Sequence, residues 1–245
     1  MGLDPPTQED ASAQRLRVEM GDGSSVSALL CVPDDAWAGY VFGHGAGAGM
    51  AHAFMSRFAH GLAARGIATL RCQFPYMEAG SKRPDAPKVA HAAVRAAVAH
   101  AAQWLPPGLP LFAGGKSYGG RMTSQAQALS PLPGVRGLVF VGFPLHPAGK
   151  PADERGAHLS EVDLPLLFLQ GTRDELAALD LLRPLVQRLG ERATLALFDD
   201  ADHAFHVRAG SGRTDAQTLE AMLDTLAAWA RRLSACAPAP TRRRP

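Results

Sequence analysis

Short apolar segments alternate with amphipathic helical patterns through most of this chain of 245 residues. Strand-like runs lie at residues 40–42, 67–70, 109–113, 137–141, 164–169 and 193–198. Patterns of helical spacing lie at residues 52–65, 87–104, 118–129, 176–189 and 214–233. Strands that alternate with helices form parallel sheets covered on both faces, so the sequence predicts the α/β class. Residues 15–20 and 26–32 flank an Asp22-Gly23 turn and predict antiparallel strands at the start of the sheet.

Length and composition favour one globular domain, predicted over residues 15–234. A flexible segment is expected at residues 1–14 and a disordered Pro/Arg-rich tail at residues 235–245. The net charge of +2 is too small to indicate a nucleic-acid surface, and no apolar run approaches the roughly 20 residues of a membrane-spanning helix. The odd number of cysteines, three, favours a reducing compartment, so a cytoplasmic location is expected. The sequence does not indicate the oligomeric state.

The segment Gly115-Lys116-Ser117-Tyr118-Gly119 fits the pattern G-x-S-x-G directly after an apolar run and before a helical one. That order is typical of a nucleophile elbow, in which a serine on a sharp strand-to-helix turn exposes its hydroxyl above the sheet. A phosphate-binding loop would need glycine at position 110, where the chain has Pro110. A glycine-rich turn that merely contains a serine remains the alternative unless partners exist elsewhere.

Two such partners follow later strands in the order serine, acid, histidine that the elbow requires. Asp174 ends the turn after residues 164–169, and His203 follows residues 193–198. Asp174 could instead cap the next helix, and His203 could be an ordinary surface or core histidine. The nearest substitutes are Asp200, Asp202 and His206. The common order and position favour Ser117 as nucleophile, His203 as general base and Asp174 as the acid that orients it.

An acyl-transfer site also needs hydrogen-bond donors for the developing oxyanion. The Tyr118 backbone N–H is one candidate, because it belongs to the residue after the nucleophile. The glycine-rich loop at residues 43–49 follows an earlier strand, and the backbone N–H of Ala46 is predicted as the second donor. A dinucleotide loop is excluded because Ala48 and Met50 occupy the final glycine position of G-x-G-x-x-G.

Several further segments carry a resemblance that covers most of residues 26–232. They are Gly43-His44-Gly45-Ala46-Gly47-Ala48, Phe74-Pro75-Tyr76-Met77-Glu78, Arg83-Pro84-Asp85, the Gly114–Met122 elbow, Phe143-Pro144-Leu145-His146-Pro147 and Gly171-Thr172-Arg173-Asp174. With these motifs the chain resembles small bacterial α/β-hydrolases related to a mammalian testis-expressed protein, and more distantly dienelactone hydrolases. The resemblance implies the α/β-hydrolase fold and places Ser117, Asp174 and His203 in the triad. The same domain in a subunit of a nuclear histone-acetyltransferase complex implies that the fold can also serve as an interaction module.

The segment from Phe143 to Asp163 is too short for a large lid domain. The sequence therefore predicts an open or shallow site that cleaves a small-molecule ester or thioester of small or medium size through an acyl-enzyme, with no metal or organic cofactor. No nucleic-acid or membrane partner is expected. The alternatives are a non-catalytic binding or scaffold protein and an acyltransferase. Candidates for lining the substrate site, which could equally be structural, are His44, Tyr76, Arg83, Arg121 and His146.

Overall fold

A computed structural model describes residues 13–235 of the chain. Eight strands form one sheet in the order β1-β2-β4-β3-β5-β6-β7-β8. The strands are β1 (Gln14–Glu19), β2 (Ser25–Cys31), β3 (Ala38–Gly43), β4 (Ile67–Cys72), β5 (Leu111–Lys116), β6 (Val135–Val141), β7 (Leu166–Gly171) and β8 (Ala193–Phe198). The pairs β1–β2 and β2–β4 are antiparallel and all other neighbours are parallel. The predicted α/β class, with antiparallel strands at the N-terminal edge, is confirmed.

Residues 13–235 contain six α-helices, of which the last follows β8: α1 (Ala53–Ala63), α2 (Pro75–Glu78), α3 (Pro87–Trp104), α4 (Tyr118–Leu129), α5 (Leu179–Leu189) and α6 (Asp215–Ala235). The spacing of apolar residues predicted α3 and α4 with these same bounds. The short helix α2 lies in a segment to which the sequence assigned no element. It begins at Pro75, whose fixed φ suits the first position of a helix.

The sheet separates two apolar layers. Helices α3, α4 and α5 pack on one face, around buried residues such as Val98, Met122 and Leu182. Helices α1 and α6 pack on the other face, around Phe58 and Leu226 among others. Because strands buried on both faces have apolar side chains at successive positions, β4 and β7 are buried along their whole length. Each of the two helix layers flanks a different side of the carboxyl ends of the strands.

The segment between Phe143 and Asp163 carries only a 3₁₀ turn at Glu154–Glu161, so no lid domain covers the strand ends within residues 13–235. In that same part of the chain, no helix has the length and apolar character needed to cross a membrane. The predicted tail at residues 235–245 lies outside the described residues except for Ala235, which ends α6. The predicted flexible segment also lies outside them except for its last two residues, and Gln14 already begins β1.

Candidate active site

Ser117 stands between β5 and α4, at the sharp turn expected of an elbow. Its backbone has φ of 50° and ψ of −112°, a left-handed conformation that non-glycine residues seldom adopt. A hydrogen bond from the Ser117 N–H to the Val141 carbonyl oxygen, 3.0 Å long, ties the turn to the end of β6. Strain of this kind persists only where the surroundings impose it, and it is common at functional sites.

The close packing beneath Ser117 depends on glycine. Gly119, in the first turn of α4, lies directly against Gly43 at the end of β3, and a Cβ on Gly119 would overlap with the Gly43 carbonyl group. The helix can therefore start close to the sheet only because both positions lack a side chain. This packing holds Ser117 close to the carboxyl ends of the strands.

The structure brings Ser117, His203 and Asp174 together in one hydrogen-bonded chain. His203 Nε2 lies 2.8 Å from Ser117 Oγ, and His203 Nδ1 lies 2.7 Å from Asp174 Oδ2. Each residue follows a different parallel strand, β5, β8 and β7 respectively, and the carboxyl ends of those strands meet at one edge of the sheet. This arrangement lets the imidazole exchange a proton with the hydroxyl while the carboxylate holds the opposite ring nitrogen.

The Asp174 carboxylate is buried, with a fully inaccessible side chain, and its oxygens are well supplied with donors. Oδ1 accepts the Leu176 N–H at 2.8 Å, and Oδ2 accepts the Gln170 side-chain amide at 2.5 Å beside the His203 contact. Helix α5 begins only at Leu179, with Ala178 as its N-cap, so Asp174 does not cap that helix. Such donors offset the free-energy cost of burying a polar side chain.

Gln170 is a buried polar residue beside Asp174 that sequence reasoning missed. It lies near the end of β7 and is fully buried. Its side-chain oxygen Oε1 accepts the Phe143 N–H at 2.9 Å, and its side-chain Nε2 donates to Asp174 Oδ2. The side chain thus links the loop after β6 to the carboxylate. A lone amide within an otherwise apolar strand, four residues before the candidate acid, is the signal that could have identified it.

The loop that carries His203 is organised by Asp202. The Asp202 carboxylate accepts the backbone N–H groups of Ala204 at 2.8 Å and His206 at 3.0 Å. The His206 ring is exposed and pairs with Asp215 at 2.8 Å, and that hydrogen bond raises the pKa of His206. Asp200 occupies the turn before the loop with φ of 57°. The three substitutes therefore shape or flank the loop, and His203 is the one that reaches Ser117.

The loop after β3 lies next to the nucleophile. A methyl group placed on Gly45 would be 3.8 Å from the Ser117 Cβ atom, and Ala46 faces the same cavity as Ser117. Tyr118 is the first residue of α4, so its N–H has no acceptor within the helix. The loop is fastened by a hydrogen bond of 3.0 Å from the Gly47 N–H to the Tyr76 hydroxyl.

His44 and His146, two of the five candidates for the substrate site, are buried and accept hydrogen bonds from backbone N–H groups. His44 Nε2 accepts the Phe74 N–H at 3.0 Å, and its Nδ1 lies 2.8 Å from the Gly45 carbonyl oxygen. Burial lowers the pKa of His44 to about 4, so the ring is neutral with its proton on Nδ1. His146 Nε2 similarly accepts the Ala178 N–H at 2.9 Å.

The three other candidates also lie away from the cavity beside Ser117. Tyr76 serves the Gly47 loop, and Arg83 is exposed. Arg121 lies in the first turns of α4; burial and the neighbouring Arg155 cation lower the pKa of its guanidinium. Which side of the sheet a loop residue lies on depends on how helices distant in sequence pack. The spacing of residues in the sequence does not reveal this.

The cavity beside Ser117 has a volume of about 630 Å³ and lies on the α1 and α6 side of the strand ends. Its apolar wall comes from Phe54, Met55, Leu176, Phe205 and Leu219. Charged and polar side chains stand at its mouth: Arg57, His206, Asp215 and Glu220. A cavity of this size and composition is typical of small-molecule sites. The sequence predicted an open or shallow site, and the structure has a cavity of this volume at the strand ends.

Lys116, directly before the nucleophile, lines the cavity and contacts the histidine loop. Its Nζ donates a hydrogen bond of 2.5 Å to the His203 carbonyl oxygen and lies 5.4 Å from the centroid of the Phe205 ring. Burial lowers the pKa of this ammonium to about 8, although the carboxylates of Asp174 and Asp202 favour its charge. Sequence reasoning noted Lys116 only as part of a phosphate-loop pattern that does not fit.

A resident metal ion has no evident ligand set in the described part of the chain. Residues 13–235 contain no group of three or more histidine, cysteine, aspartate or glutamate side chains arranged to hold one.

Comparison with known structures supports the architecture. A dienelactone hydrolase from Anabaena variabilis superposes with a TM-score of 0.71 at 20% identity, covering 90% of this chain and 98% of its own. A lidless serine hydrolase from Xanthomonas campestris gives 0.69 at 18% identity, with 96% and 100% covered. Est1E from Butyrivibrio proteoclasticus gives 0.68 at 14% identity, with 90% and 99% covered. At these identities the likeness shows a shared fold.

A family model provides the assignment that fold similarity alone does not. The model described as an alpha/beta hydrolase domain matches residues 37–231, which span β4, the elbow, both partner loops and most of α6. The strand order, the two antiparallel strands and the position of Ser117 are consistent with that match. The chain therefore belongs to the alpha/beta hydrolase domain family.

Proposed function

We propose that this protein is a serine hydrolase that cleaves a small or medium carboxylic ester or thioester through an acyl-enzyme. The observation that carries the proposal is the continuous chain from Asp174 Oδ2 through His203 to Ser117 Oγ, with separations of 2.7 and 2.8 Å. Its last member is a strained serine that opens onto a cavity. The Anabaena and Xanthomonas structures carry the names dienelactone hydrolase and serine hydrolase, which agrees with this reaction class.

The first half of the reaction forms the acyl-enzyme. As Ser117 Oγ attacks the carbonyl carbon, its proton passes to His203 Nε2, and the Asp174 carboxylate stabilises the resulting imidazolium. The carbonyl oxygen becomes an oxyanion that accepts hydrogen bonds from the backbone N–H groups of Tyr118 and Ala46. Collapse of this intermediate breaks the bond to the alcohol or thiol, which leaves with the proton from His203 Nε2.

The second half releases the acid. Water in the cavity gives a proton to His203 Nε2 while its oxygen attacks the acyl carbon. A second oxyanion forms at the same donors, the bond to Ser117 Oγ breaks, and the imidazolium returns its proton to the serine. These steps need only the residues named and water, because every proton that leaves Ser117 or water passes through one histidine.

The finer resemblance, to relatives of a mammalian testis-expressed protein, remains a prediction from the motifs. Two features favour catalysis over a pure interaction role for this chain. All three triad side chains are present, and the cavity reaches Ser117. A scaffold would have no need to keep the serine in a strained conformation.

A fluorophosphonate probe, which reacts with activated serines, tests the proposal. We expect the full chain to be labelled at Ser117, and Ser117→Ala to lose labelling. Ser160→Ala is the matched control, because Ser160 is exposed on the 3₁₀ turn and contacts only neighbouring residues. Folded wild-type protein that neither labels nor hydrolyses any ester or thioester would refute the proposal.

Product analysis then separates hydrolysis from acyl transfer. We expect the free acid as the main product from a p-nitrophenyl ester and from an acyl thioester, even with methanol or a small thiol present at millimolar concentration. A dominant ester or thioester product would instead identify an acyltransferase that uses the same Ser117 chemistry.

A further inference from the structure

Apolar side chains form much of the wall of the cavity beside Ser117. Phe54 on α1 and Phe205 in the histidine loop are nearly parallel, with ring centroids 6.2 Å apart and an interplanar angle of 17°. Leu219 on α6 and Leu176 after β7 complete the wall around Ser117. Arg57 and Asp215 are exposed at the mouth. The Lys116 ammonium also lines the cavity, 5.8 Å from the centroid of the Phe54 ring and 5.4 Å from that of Phe205, and it donates its hydrogen bond to the His203 carbonyl oxygen. An apolar group bound against the aromatic and leucine side chains would leave water while this hydrogen bond stays in place.

Phe205 is held in place at a backbone cost. Its φ of 65° is rare for a bulky residue, and its N–H donates to the Asp202 carbonyl oxygen at 3.0 Å. The ring is nevertheless buried, packed against Phe54 and Phe198. Strain that fixes an apolar side chain two residues after the candidate base indicates that the wall has a function.

We propose that this pocket binds the acyl part of the substrate and that this part is an uncharged apolar chain of medium length. The inference rests on the proposed function and names its substrate class. The acyl group stays bonded to Ser117 Oγ through both halves of the reaction, so a wall beside that atom stabilises both transition states. The leaving group, by contrast, must depart past the mouth. A cavity of about 630 Å³ far exceeds the needs of an acetyl group.

Rates of hydrolysis for p-nitrophenyl esters from acetate to decanoate test the proposal. Burying one methylene gains enough free energy for kcat/KM to rise about fourfold per carbon, until the pocket is filled. We expect Leu219→Trp to lower the octanoate-to-acetate ratio of kcat/KM by about tenfold or more. Arg232→Trp, an exposed position on the same helix, is the control and should leave the ratio unchanged.

The outcomes separate this inference from the proposed function. A wild-type profile that stays flat or falls from acetate onward, in protein that labels at Ser117, overturns the acyl pocket and leaves the hydrolase intact. A gain seen only when the alcohol of an acetate ester is lengthened overturns it as well. Absence of both labelling and hydrolysis refutes the proposed function itself. If Leu219→Trp does not fold, Leu219→Ala tests the same wall, because a widened pocket should move the optimum to longer chains.

Lys116 carries a second inference, which is independent of the cavity wall. Its side chain runs from the elbow to the histidine loop, where Nζ donates to the His203 carbonyl oxygen at 2.5 Å. A Cβ on Gly142, at the end of β6, would lie only 3.1 Å from Nζ, so the ammonium fills the space that this glycine leaves. Within residues 13–235 no carboxylate forms a salt bridge with Lys116.

We infer that Lys116 is a positioning residue that holds His203 against Ser117. Lys116 is partly buried and forms no salt bridge with the described residues, so its desolvation is offset only by the more distant carboxylates of Asp174 and Asp202 and by the hydrogen bond to His203, which points to a role other than stabilising the fold. The hydrogen bond links the segment that carries the nucleophile to the segment that carries the base. It joins Lys116, the residue before Ser117, to the backbone carbonyl group of His203. Loss of this bond would free the histidine loop to move away from Ser117 without removing any group of the triad.

The Lys116→Met variant tests this role, since methionine has a similar shape and no donor. We expect kcat for a short ester to fall by about tenfold or more, KM to change by less than threefold, and the melting temperature to stay level or rise. Lys116→Arg should recover part of the lost kcat. Lys150→Met, at an exposed lysine, is the control.

A purely structural lysine would lower the melting temperature together with kcat, and arginine would not restore the rate selectively. Folded Lys116→Met with kcat within twofold of wild type overturns the inference. If that variant does not fold, Lys116→Leu, which also lacks a donor, is judged by the same criteria. Loss of activity in wild type and all variants alike would instead refute the proposed function.

Discussion

Gln170 donates a 2.5 Å hydrogen bond to the Asp174 oxygen that also faces His203. The same Gln170 side chain accepts the Phe143 N–H, so one buried amide connects the loop after β6 with the candidate acid. A carboxylate held from two sides can keep a fixed direction toward the imidazole. The orientation of His203 therefore depends on a residue that touches neither the histidine nor the serine.

Gln170→Leu should lower both activity and stability. The substitution leaves the Phe143 N–H without an acceptor and removes one donor from a buried carboxylate. A hydrogen bond to a charged group contributes about 1.5–3 kcal/mol, so we expect kcat to fall by roughly tenfold or more, together with a similar loss in the free energy of unfolding. Initial rates on a short ester and urea unfolding measure the two effects.

Gln127→Leu is the control for Gln170. The Gln127 side chain accepts the Leu132 N–H at 2.8 Å in a buried site at the end of α4, remote from His203. It should lose stability and keep kcat within about twofold, as expected for one lost buried hydrogen bond. Equal losses of kcat in the two variants would contradict a specific role for Gln170.

The approach of Ser117, Asp174 and His203 to one another could be predicted because each residue follows a strand that the apolar pattern reveals. Ser117, Asp174 and His203 come after β5, β7 and β8, and parallel strands bring their carboxyl ends together. The supporting residues could not be predicted in the same way. The direction of the Gln170 side chain depends on the register of β7, and the contact of Lys116 depends on a loop 87 positions away in sequence.

The cavity beside Ser117 could not be predicted from local sequence patterns. Its walls come from α1 and α6, which meet on one face of the sheet although Phe54 and Leu219 are far apart in sequence. Polar residues in the family-like motifs were natural candidates for substrate contact, yet His44 and His146 hold backbone groups. A motif residue with a buried backbone partner can therefore serve the fold that shapes the site rather than the substrate.

Tyr76→Phe should weaken catalysis modestly by releasing the loop that carries Ala46. The Tyr76 hydroxyl is the acceptor for the Gly47 N–H at 3.0 Å, and phenylalanine cannot replace it. A net hydrogen-bond contribution of about 1 kcal/mol corresponds to a roughly fivefold loss in kcat/KM. Tyr40→Phe is the control, because its hydroxyl donates to the Val139 carbonyl oxygen in the core. Unchanged kcat/KM in Tyr76→Phe would show that the loop needs no such fastening.

Gly119→Ala should unfold the protein or leave it severely destabilised. The new Cβ would overlap with the carbonyl carbon and oxygen of Gly43, so the start of α4 or the end of β3 would have to shift. We expect a loss above about 3 kcal/mol in the free energy of unfolding, at the upper end of overpacking effects. Gly61→Ala on α1 meets only the flexible Leu223 side chain and should cost less. Thermal melts of both variants make the comparison, and equal melting temperatures would argue against the predicted overlap.

Acid should destabilise the fold through His44 before most carboxylates titrate. Burial lowers the pKa of His44 to about 4, whereas the unfolded chain has the ordinary value of 6.5. Between these values the unfolded state binds more protons, so the free energy of unfolding falls as the pH falls from 6.5 toward 4. The full shift corresponds to about 3 kcal/mol. Burial also lowers the pKa of His158 to about 4, which adds in the same direction.

Urea unfolding of wild type at pH 7.5, 6.0 and 4.5 measures this loss, and His44→Gln supplies the comparison. Glutamine can accept the Phe74 N–H and does not titrate, so the variant should show a shallower decline over the same interval. A wild-type stability that is constant from pH 7.5 to 4.5, or a variant with an identical slope, would contradict a buried neutral His44. The expected decline makes pH 7 to 8 the appropriate range for testing the triad, because His44 then keeps the glycine loop beside Ser117 in place.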